Sequence, residues 1–322
     1  MLRGILVLSL LTLAPIFASA ATLQSFGSPL EIGVSPEHPR AGNQVTLTVS
    51  DPQEEVGTTA YMWLVNDRIV DQGIGHKSIS ITARGEGTIE TIRVIAIEND
   101  VARGDAITII RPASVDIIWE GNTYTPPLYI GRPLPTAQST VTVIAIPHLS
   151  VNSVEAEPES LIYSWKMGGV TLQKQSGYGK SSIAVTPPRF GSAFTVSVLV
   201  SNKSGTVVAE NSVLIQPQTP SLIIYEDAPL LGVRFNKAQI GLFPFTADEV
   251  SFVAYPLFVS NMNDVSYTWN LDTSPFAVDP ARPRRATFRK VGGGKGTHTV
   301  NVSFENMKKF LERGDIAFQL TF

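Results

Sequence analysis

The chain has 322 residues, of which 43% are hydrophobic and 16% are charged, with 25 Gly, 22 Pro and no Cys. The absence of cysteine excludes disulfide frameworks, thiolate zinc sites, cysteine nucleophiles and a cysteine-linked lipid anchor. The formal net charge of −3 gives no global field that would recruit nucleic acid, and the length suggests two or three domains.

The first twenty residues have the pattern of a signal peptide. Arg3 precedes an apolar run at 5–17, and Ala18 and Ala20 offer the small residues of a cleavage site. Because a membrane-spanning helix needs about 20 apolar residues, this run is too short for an anchor and favours a cleaved signal. We therefore expect an extracytoplasmic protein that is secreted, periplasmic or associated with the cell surface, with no transmembrane anchor of its own after cleavage.

A Tyr-x-Trp motif occurs three times along the chain. Its copies are Tyr61/Trp63, Tyr163/Trp165 and Tyr267/Trp269. The tryptophans are 102 and 104 residues apart, and each is followed after 36 or 37 residues by the asparagine that ends an alternating run. This regularity predicts three copies of one domain. We place a signal peptide at 1–20 and the domains at 21–112, 113–217 and 218–322, called repeats 1, 2 and 3.

The elements predicted within these repeats are β-strands. Short runs rich in Val, Ile, Thr, Phe and Tyr alternate in polarity and are separated by Gly, Pro, Asn and Asp. The one segment with helix signals, 306–314, lies where the repeat alignment places a hairpin connection. Repeats of about 100 residues with about seven strands have the size of an immunoglobulin-like sandwich. We predict an all-β chain of three tandem antiparallel β-sandwiches, each with Tyr-x-Trp on a central strand, joined by proline-bearing linkers into a semi-rigid rod.

Two of these strands carry a family resemblance. The run at 296–306 (GTHTVNVSFEN) resembles the late strand of PKD domains, and the Tyr-x-Trp motif is similar to their central strand. The chain departs from that family after the tryptophan strand, where Asn66-Asp67, Gly168-Gly169 and Asp272-Thr273 replace the usual Gly-Asp-Gly turn. The layout resembles tandem PKD-like or Ig-like repeats of bacterial exported surface proteins. This resemblance implies a spacer, adhesive or accessory role and no chemistry.

The segment 119–135 interleaves aromatic residues with proline and contains the candidate binding residues Trp119, Tyr124 and Tyr129. Such a segment can form a stacking platform for a sugar or peptide, or it can be an extra hairpin that packs onto the preceding domain. Repeat 3 has a similar stretch, whereas repeat 1, which has no upstream neighbour, has none. This distribution favours the interdomain interpretation.

The chemistry-bearing residues give no catalytic or metal-binding signature. The four histidines are spread singly over the chain, at His38, His76, His148 and His298. No paired-histidine zinc motif or nucleophile elbow is present. Two acidic stretches, beginning at Asp51 and at Glu155, are interpreted as solvated loops rather than calcium sites, because nothing in them assembles six or more oxygen ligands.

Two Arg-Gly-Asp triplets occur, at 103–105 and 313–315. A cell-adhesive loop would contain this triplet, but Gly-Asp is also ordinary turn chemistry. We interpret both triplets as turns.

Taken together, the sequence predicts a non-enzymatic, exported structural or adhesion-type interaction protein without catalytic residues, bound metal or cofactor. Its partner would be an envelope or extracellular protein or polysaccharide, and nucleic acid is not expected. The alternative is a carbohydrate-binding or enzyme-accessory module that uses the aromatic residues of 119–135.

Overall fold

The computed structural model describes residues 30–151, 154–188, 192–292 and 295–322, so the predicted signal peptide lies outside the described residues. By the density of contacts the chain divides into two compact units. One is formed by Thr48–Ile79 and Ile92–Thr108 with the described residues up to Gly33, and the other by Val34–Leu47, Ser80–Thr91 and Ile109–Phe322. The described part of the chain contains no helix with the length and apolar character needed to span a membrane.

The described part of repeat 1 contains seven strands: β1 (Glu31–Ser35), β2 (Gln44–Ser50), β3 (Ala60–Val65), β4 (Arg68–Ile74), β5 (Ser78–Thr82), β6 (Glu90–Glu98) and β7 (Val101–Ile110). Three strands form a sheet in the order β1-β2-β5, and four form a sheet in the order β4-β3-β6-β7. Buried and solvent-facing residues alternate along β2, as the period-two pattern of that run predicts.

Among its described residues, repeat 2 contains ten strands: β8 (Ser114–Gly121), β9 (Val141–His148), β10 (Ser150–Val151), β11 (Val154–Glu155), β12 (Ile162–Met167), β13 (Val170–Thr171), β14 (Gly177–Tyr178), β15 (Ser182–Val185), β16 (Phe194–Ser201) and β17 (Val208–Ile215). One sheet has the order β15-β9-β8 and the other β13-β12-β16-β17, with β14 also pairing with β12 and β10 pairing with β11. A short 3-10 helix, Pro158–Ser160, precedes β12. Side chains from both larger sheets, such as Val143 and Trp165, share one hydrophobic core.

Outside the undescribed residues 293–294, repeat 3 contains nine strands: β18 (Ser221–Ala228), β19 (Gly232–Ala238), β20 (Gly241–Pro244), β21 (Glu249–Leu257), β22 (Val265–Leu271), β23 (Ser274–Pro275), β24 (Arg285–Arg289), β25 (Thr297–Asn306) and β26 (Arg313–Thr321). Its sheets have the orders β19-β18-β21-β24 and β20-β26-β25-β22-β23, and both contribute to one core. A 3-10 helix, Met262–Asp264, precedes β22. Strand β20 pairs in parallel with β26, whereas β25 pairs antiparallel with both β22 and β26.

The three repeats share one topology. The strands β1-β2-β5 correspond to β8-β9-β15 and to β18-β21-β24, and the strands β4-β3-β6-β7 correspond to β13-β12-β16-β17 and to β23-β22-β25-β26. Two antiparallel sheets of this kind over about 100 residues form the immunoglobulin-like and fibronectin-III-like architecture. The predicted all-β fold of tandem Ig-like sandwiches is confirmed. The predicted domain ends at 112 and 217 fall between β7 and β8 and between β17 and β18.

The Tyr-x-Trp motif lies on a central strand of the larger sheet in each repeat. Trp63, Trp165 and Trp269 are buried, and each is paired across the sheet with a valine of the following long strand, namely Val94, Val198 and Val302. The same register recurs three times because the spacing from tryptophan to this valine is nearly constant.

The segment 306–314 is not helical. Strand β25 continues to Asn306, and turns lead directly into β26 at Arg313, so the hairpin connection expected from the repeat alignment is present.

Candidate functional site

The segment between β8 and β9 is irregular and lies against repeat 3. We call residues 121–139 the docking segment. The backbone N–H of Tyr124 donates to the carbonyl of Val259 at 2.7 Å, and the N–H of Phe258 donates to the carbonyl of Tyr124 at 2.8 Å. The sequence interpretation placed this segment against the preceding domain, and the observed pairing is with the following one. A strand-like bridge therefore joins repeats 2 and 3.

The conformation of the docking segment depends on a close approach of the chain to itself at Gly121. A Cβ at this position would lie 2.5 Å from the backbone nitrogen of Pro135 and 2.6 Å from the carbonyl carbon of Leu134. The Gly121 N–H donates to the Pro133 carbonyl at 2.8 Å, and the Thr123 hydroxyl donates to the Leu134 carbonyl at 2.8 Å. Only glycine fits where the two backbones touch.

A buried carboxylate, Glu312, anchors the other end of the docking segment. It is 0% exposed and accepts hydrogen bonds from the Thr136 hydroxyl at 3.1 Å, the Ser260 N–H at 2.9 Å and the Asn306 amide at 2.7 Å. The Ser260 hydroxyl also donates to it. A buried charge is stable only when its hydrogen-bonding capacity is filled, so Glu312 requires groups from both repeats.

Two further contacts join the docking segment to the β25–β26 connection. The ammonium of Lys309 donates to the carbonyl of Gln138 at 2.7 Å, and the Leu311 N–H donates to the side-chain oxygen of Gln138 at 2.9 Å. In the sequence, the segment that contains Glu312 shows only helix signals. Nothing in its local pattern indicates that Glu312 is buried, so sequence reasoning missed this site.

The three candidate binding residues, Trp119 on β8 and Tyr124 and Tyr129 in the docking segment, take part in three separate contacts. Trp119 packs against the core of repeat 2, and the guanidinium carbon of Arg132 lies 3.7 Å from the centre of its ring. Tyr129 meets Phe258 edge-on with the ring centres 5.8 Å apart. Tyr124 packs against side chains of repeat 3. Their rings do not form one exposed platform in this arrangement, and ligand binding through them stays a prediction.

Tyr124 adds to an aromatic cluster that the sequence did not single out. The rings of Tyr225, Phe235 and Tyr255 meet pairwise edge-on, with centres 5.2 to 5.8 Å apart. Such edge-to-face pairs are favourable beyond the area they bury. Burial raises the pKa of Tyr124 and of Tyr225 above the ordinary value, and the neighbouring Tyr255 contributes in the same direction. A hydrogen bond from Arg284 to the Tyr124 hydroxyl lowers the pKa of Tyr124 in part, and both tyrosines stay protonated at neutral pH.

A cavity of about 680 Å³ opens beside this cluster in repeat 3. Its wall includes Tyr255 and Tyr267 from the two sheets, Arg282 and Arg284 from the turn before β24, and Arg285 at the start of β24. The guanidinium carbon of Arg284 lies 4.9 Å from the ring centre of Tyr255. Three arginines within four residues are a signal in the sequence, but only the fold shows that they line a cavity.

The hydroxyl groups of the Tyr-x-Trp tyrosines differ between the repeats. Tyr61 donates to Asp51 at 2.9 Å and Tyr163 donates to the carbonyl of Pro158 at 3.0 Å. The hydroxyl of Tyr267 is buried and has no hydrogen-bond partner among the described residues. Buried polar atoms nearly always have a partner, so Tyr267 is an exception, and it is also one of the residues that line the cavity.

The Arg-Gly-Asp triplets are strand residues, which corrects their interpretation as turns. The first lies within β7, where Arg103 forms an ion pair with the buried carboxylate of Asp51. The second begins β26, and a Cβ on Gly314 would lie 2.9 Å from the Phe304 ring and 3.2 Å from the carbonyl oxygen of Pro220. In both triplets a residue is held by packing inside the fold.

Asp51 is likewise not part of a solvated loop. Burial acts to raise its pKa, but hydrogen bonds from Arg103, Tyr61 and the Gln53 N–H outweigh that effect and lower the pKa below the ordinary value. The neighbouring Glu54 forms an ion pair with Lys77. The acidic residues Asp51 and Glu54, which follow β2, therefore form ion pairs inside repeat 1.

Three of the histidines each face one aspartate at the surface. The pairs are His76/Asp71, His148/Asp116 and His298/Asp272, at 3.0, 3.4 and 2.8 Å. The residues that the structure describes contain no group of three or more His, Asp or Glu side chains placed to hold a metal ion.

No protein-family model matches the chain, and no curated protein matches it. Several solved structures of tandem β-domains are similar at low identity. The three N-terminal domains of the Highly Immunogenic Outer Capsid protein (Hoc) of bacteriophage RB49 match 91% of this chain and 97% of that one, with 12% identity and a TM-score of 0.27. The central fibronectin-III array of RIM-binding protein matches 91% of this chain and 95% of that one, with 12% identity and a TM-score of 0.31.

The fibronectin(III)-like modules of Clostridium thermocellum CbhA match 58% of this chain and 94% of that one, with 9% identity and a TM-score of 0.28. Because these identities and TM-scores are low, the fold assignment rests on the topology of the sheets themselves. The matches carry no argument about function.

Proposed function

We propose that the protein is an exported, non-enzymatic structural and interaction module of the cell envelope or surface, built from tandem Ig-like repeats. Its partner would be an envelope or extracellular protein or polysaccharide. The signal-like residues 1–20 support export, and the sandwich repeats support a role in spacing and presentation. Loops and edge strands of such sandwiches provide contact surfaces without catalytic groups.

The observation that carries the proposal is the bridge between repeats 2 and 3. The docking segment pairs its backbone with Phe258 and Val259 and completes the hydrogen bonding of the buried Glu312. Domain motion is the default for tandem domains joined only by a short linker. A buried, hydrogen-bonded bridge opposes that motion, which suits a module that must present repeat 3 in a fixed orientation.

Distance measurements between spin labels test this proposal. The natural chain has no cysteine, so Lys166→Cys gives one exposed label site on repeat 2 and Thr268→Cys gives one on repeat 3. We expect a narrow distance distribution in the otherwise unchanged chain and a broad one after Glu312→Ala. Gln138→Ala removes one bridging acceptor without leaving a buried charge unpaired, and we expect an intermediate width. The control Glu305→Ala changes an exposed residue of β25 and leaves the width unchanged.

A broad distribution in the unaltered protein, or no response to either bridging variant, would contradict the structural role. Export is tested separately in a bacterial host with Leu10→Arg and Leu11→Arg together. We expect the unaltered chain outside the cytoplasm with its N-terminus at residue 21 and the double variant inside the cytoplasm at full length. Equal distribution of the two chains would contradict export.

A further inference from the structure

The cavity of repeat 3 has an excess of positive charge. Its lining contains three arginines and one acidic residue, Asp227, which forms an ion pair with Arg285 at 2.8 Å. Within the described part of the chain, neither Arg282 nor Arg284 forms an ion pair. Two guanidinium groups thus face the cavity without a carboxylate partner.

Residues 282–285, which we call the arginine turn, are held in place by hydrogen bonds of their backbone. The indole of Trp269 donates to the carbonyl of Pro283 at 3.1 Å, and the N–H of Ala254 donates to the carbonyl of Arg284 at 2.8 Å. The N–H of Arg285 donates to the carbonyl of Arg282 at 2.9 Å. Because these bonds use backbone groups, they fix the turn and leave the donors of the Arg282 side chain for a ligand.

The third element of the cavity is the hydroxyl of Tyr267. It is buried without a hydrogen-bond partner among the described residues, although the matching hydroxyls of Tyr61 and Tyr163 both donate inside their own repeats. Burial raises the pKa of Tyr267 to about 12, against a partly opposing effect of Arg284. At neutral pH this hydroxyl therefore retains its proton and can donate a hydrogen bond to an acceptor.

We propose that this cavity binds a carboxylate group, with Arg282 and Arg284 as the cationic donors and Tyr267 as a neutral donor. Guanidinium groups pair with carboxylates through parallel hydrogen bonds, and a volume of about 680 Å³ is in the usual range for a small-ligand site. Val233, Val253 and Met262 also line the cavity, so the carboxylate would be attached to a compact organic body. A uronic-acid residue of a polysaccharide and an acidic side chain of a peptide are the two sources of this chemistry.

This inference rests on the proposed function and names a ligand class for it. Titration calorimetry of the chain 21–322 tests it with digalacturonate, with the dimethyl ester of digalacturonate, with an acetylated Glu-Glu dipeptide and with inorganic phosphate. We expect binding of at least one carboxylate probe and at least tenfold weaker binding of the ester. The stronger carboxylate probe identifies the source. Binding of phosphate alone, equal binding of acid and ester, or no binding of either carboxylate probe overturns the proposal.

Three substitutions assign the site. Arg282→Met, which changes an exposed side chain, and Arg284→Met should each weaken carboxylate binding at least tenfold. Tyr267→Phe should weaken it severalfold without lowering Tm, because the deleted hydroxyl has no internal partner. Tyr163→Phe should lower Tm and leave binding intact, and the exposed Arg289→Met should change neither. Unchanged affinity in Arg282→Met and Arg284→Met overturns the proposal, and it does so independently of the spin-label and export results.

Discussion

The indole Nε1 of Trp269 donates a hydrogen bond of 3.1 Å to the carbonyl oxygen of Pro283, fourteen residues further along the chain. The same bond recurs from Trp63 to the carbonyl of His76 and from Trp165 to the carbonyl of Lys180, both at 2.8 Å. The tryptophan of each repeat therefore fills the core and also fixes the segment that leads into β5 or its equivalents, β15 and β24. In repeat 3 that segment is the arginine turn.

Replacing Trp269 with phenylalanine should destabilise repeat 3 by at least about 2 kcal/mol, because the change leaves a cavity and a buried carbonyl without its donor. Hydrogen exchange resolved by segment is the appropriate measurement, since a chain of several repeats does not unfold in one two-state step. Trp119→Phe is the control, because Trp119 is only partly buried. We expect this variant to lose less stability in repeat 2 than Trp269→Phe loses in repeat 3. Equal losses in the two variants would contradict the role assigned to the indole bond.

Replacing Arg103 with methionine should destabilise repeat 1 by about 3 kcal/mol, because it leaves the carboxylate of Asp51 buried without its cation. The matched variant Arg313→Met changes the arginine of the other Arg-Gly-Asp triplet, which is exposed at the start of β26, and should cost no more than about 0.5 kcal/mol. Urea denaturation followed by hydrogen exchange distinguishes them. If Arg103→Met were as mild as Arg313→Met, the ion pair would not contribute to stability.

Protonation of Asp51 at acid pH should lower the stability of repeat 1. The pKa of Asp51 is lowered in the folded chain, so its contribution is complete above the ordinary value of about 3.9 and is lost as the pH falls through the lower folded value. We expect Asp51→Asn to weaken repeat 1 at pH 7 and to flatten its stability profile below about pH 4. Exchange protection of β3 and β6 measured from pH 6 to pH 2.5 checks this. A profile with the same acid slope in both chains would refute the assignment.

Replacing Gly121 with alanine should disrupt the docking segment. The added methyl group would overlap backbone atoms of Leu134 and Pro135, which cannot turn away as a side-chain end could. Overpacking of this kind costs about 1–3 kcal/mol, so Tm should fall and the spin-label distances between repeats 2 and 3 should broaden. The control is Gly85→Ala, where a Cβ would meet nothing within 4 Å and the effect should be negligible. Retention of a narrow distance distribution in Gly121→Ala would show that the segment docks by another route.

The repeats, the all-β class and the position of the Tyr-x-Trp motif follow from local pattern. Alternation of period two marks strands wherever the chain lies, and the near-constant spacing from each tryptophan reproduces one pairing register three times. The resemblance to PKD domains points to the same architecture, and the closer assignment to that family stays a prediction. Carbohydrate binding by Trp119, Tyr124 and Tyr129 also stays a prediction.

The sequence alone determined that this chain folds as strand-rich repeats with an aromatic motif in each, through the period-two alternation and the recurring Tyr-x-Trp spacing. Only the tertiary structure decided where its few charged groups act. Glu312 meets Thr136 across 176 positions, and Arg103 meets Asp51 across 52. No local pattern encodes such pairs, because the free energy of a buried charge depends on which distant groups the fold brings to it.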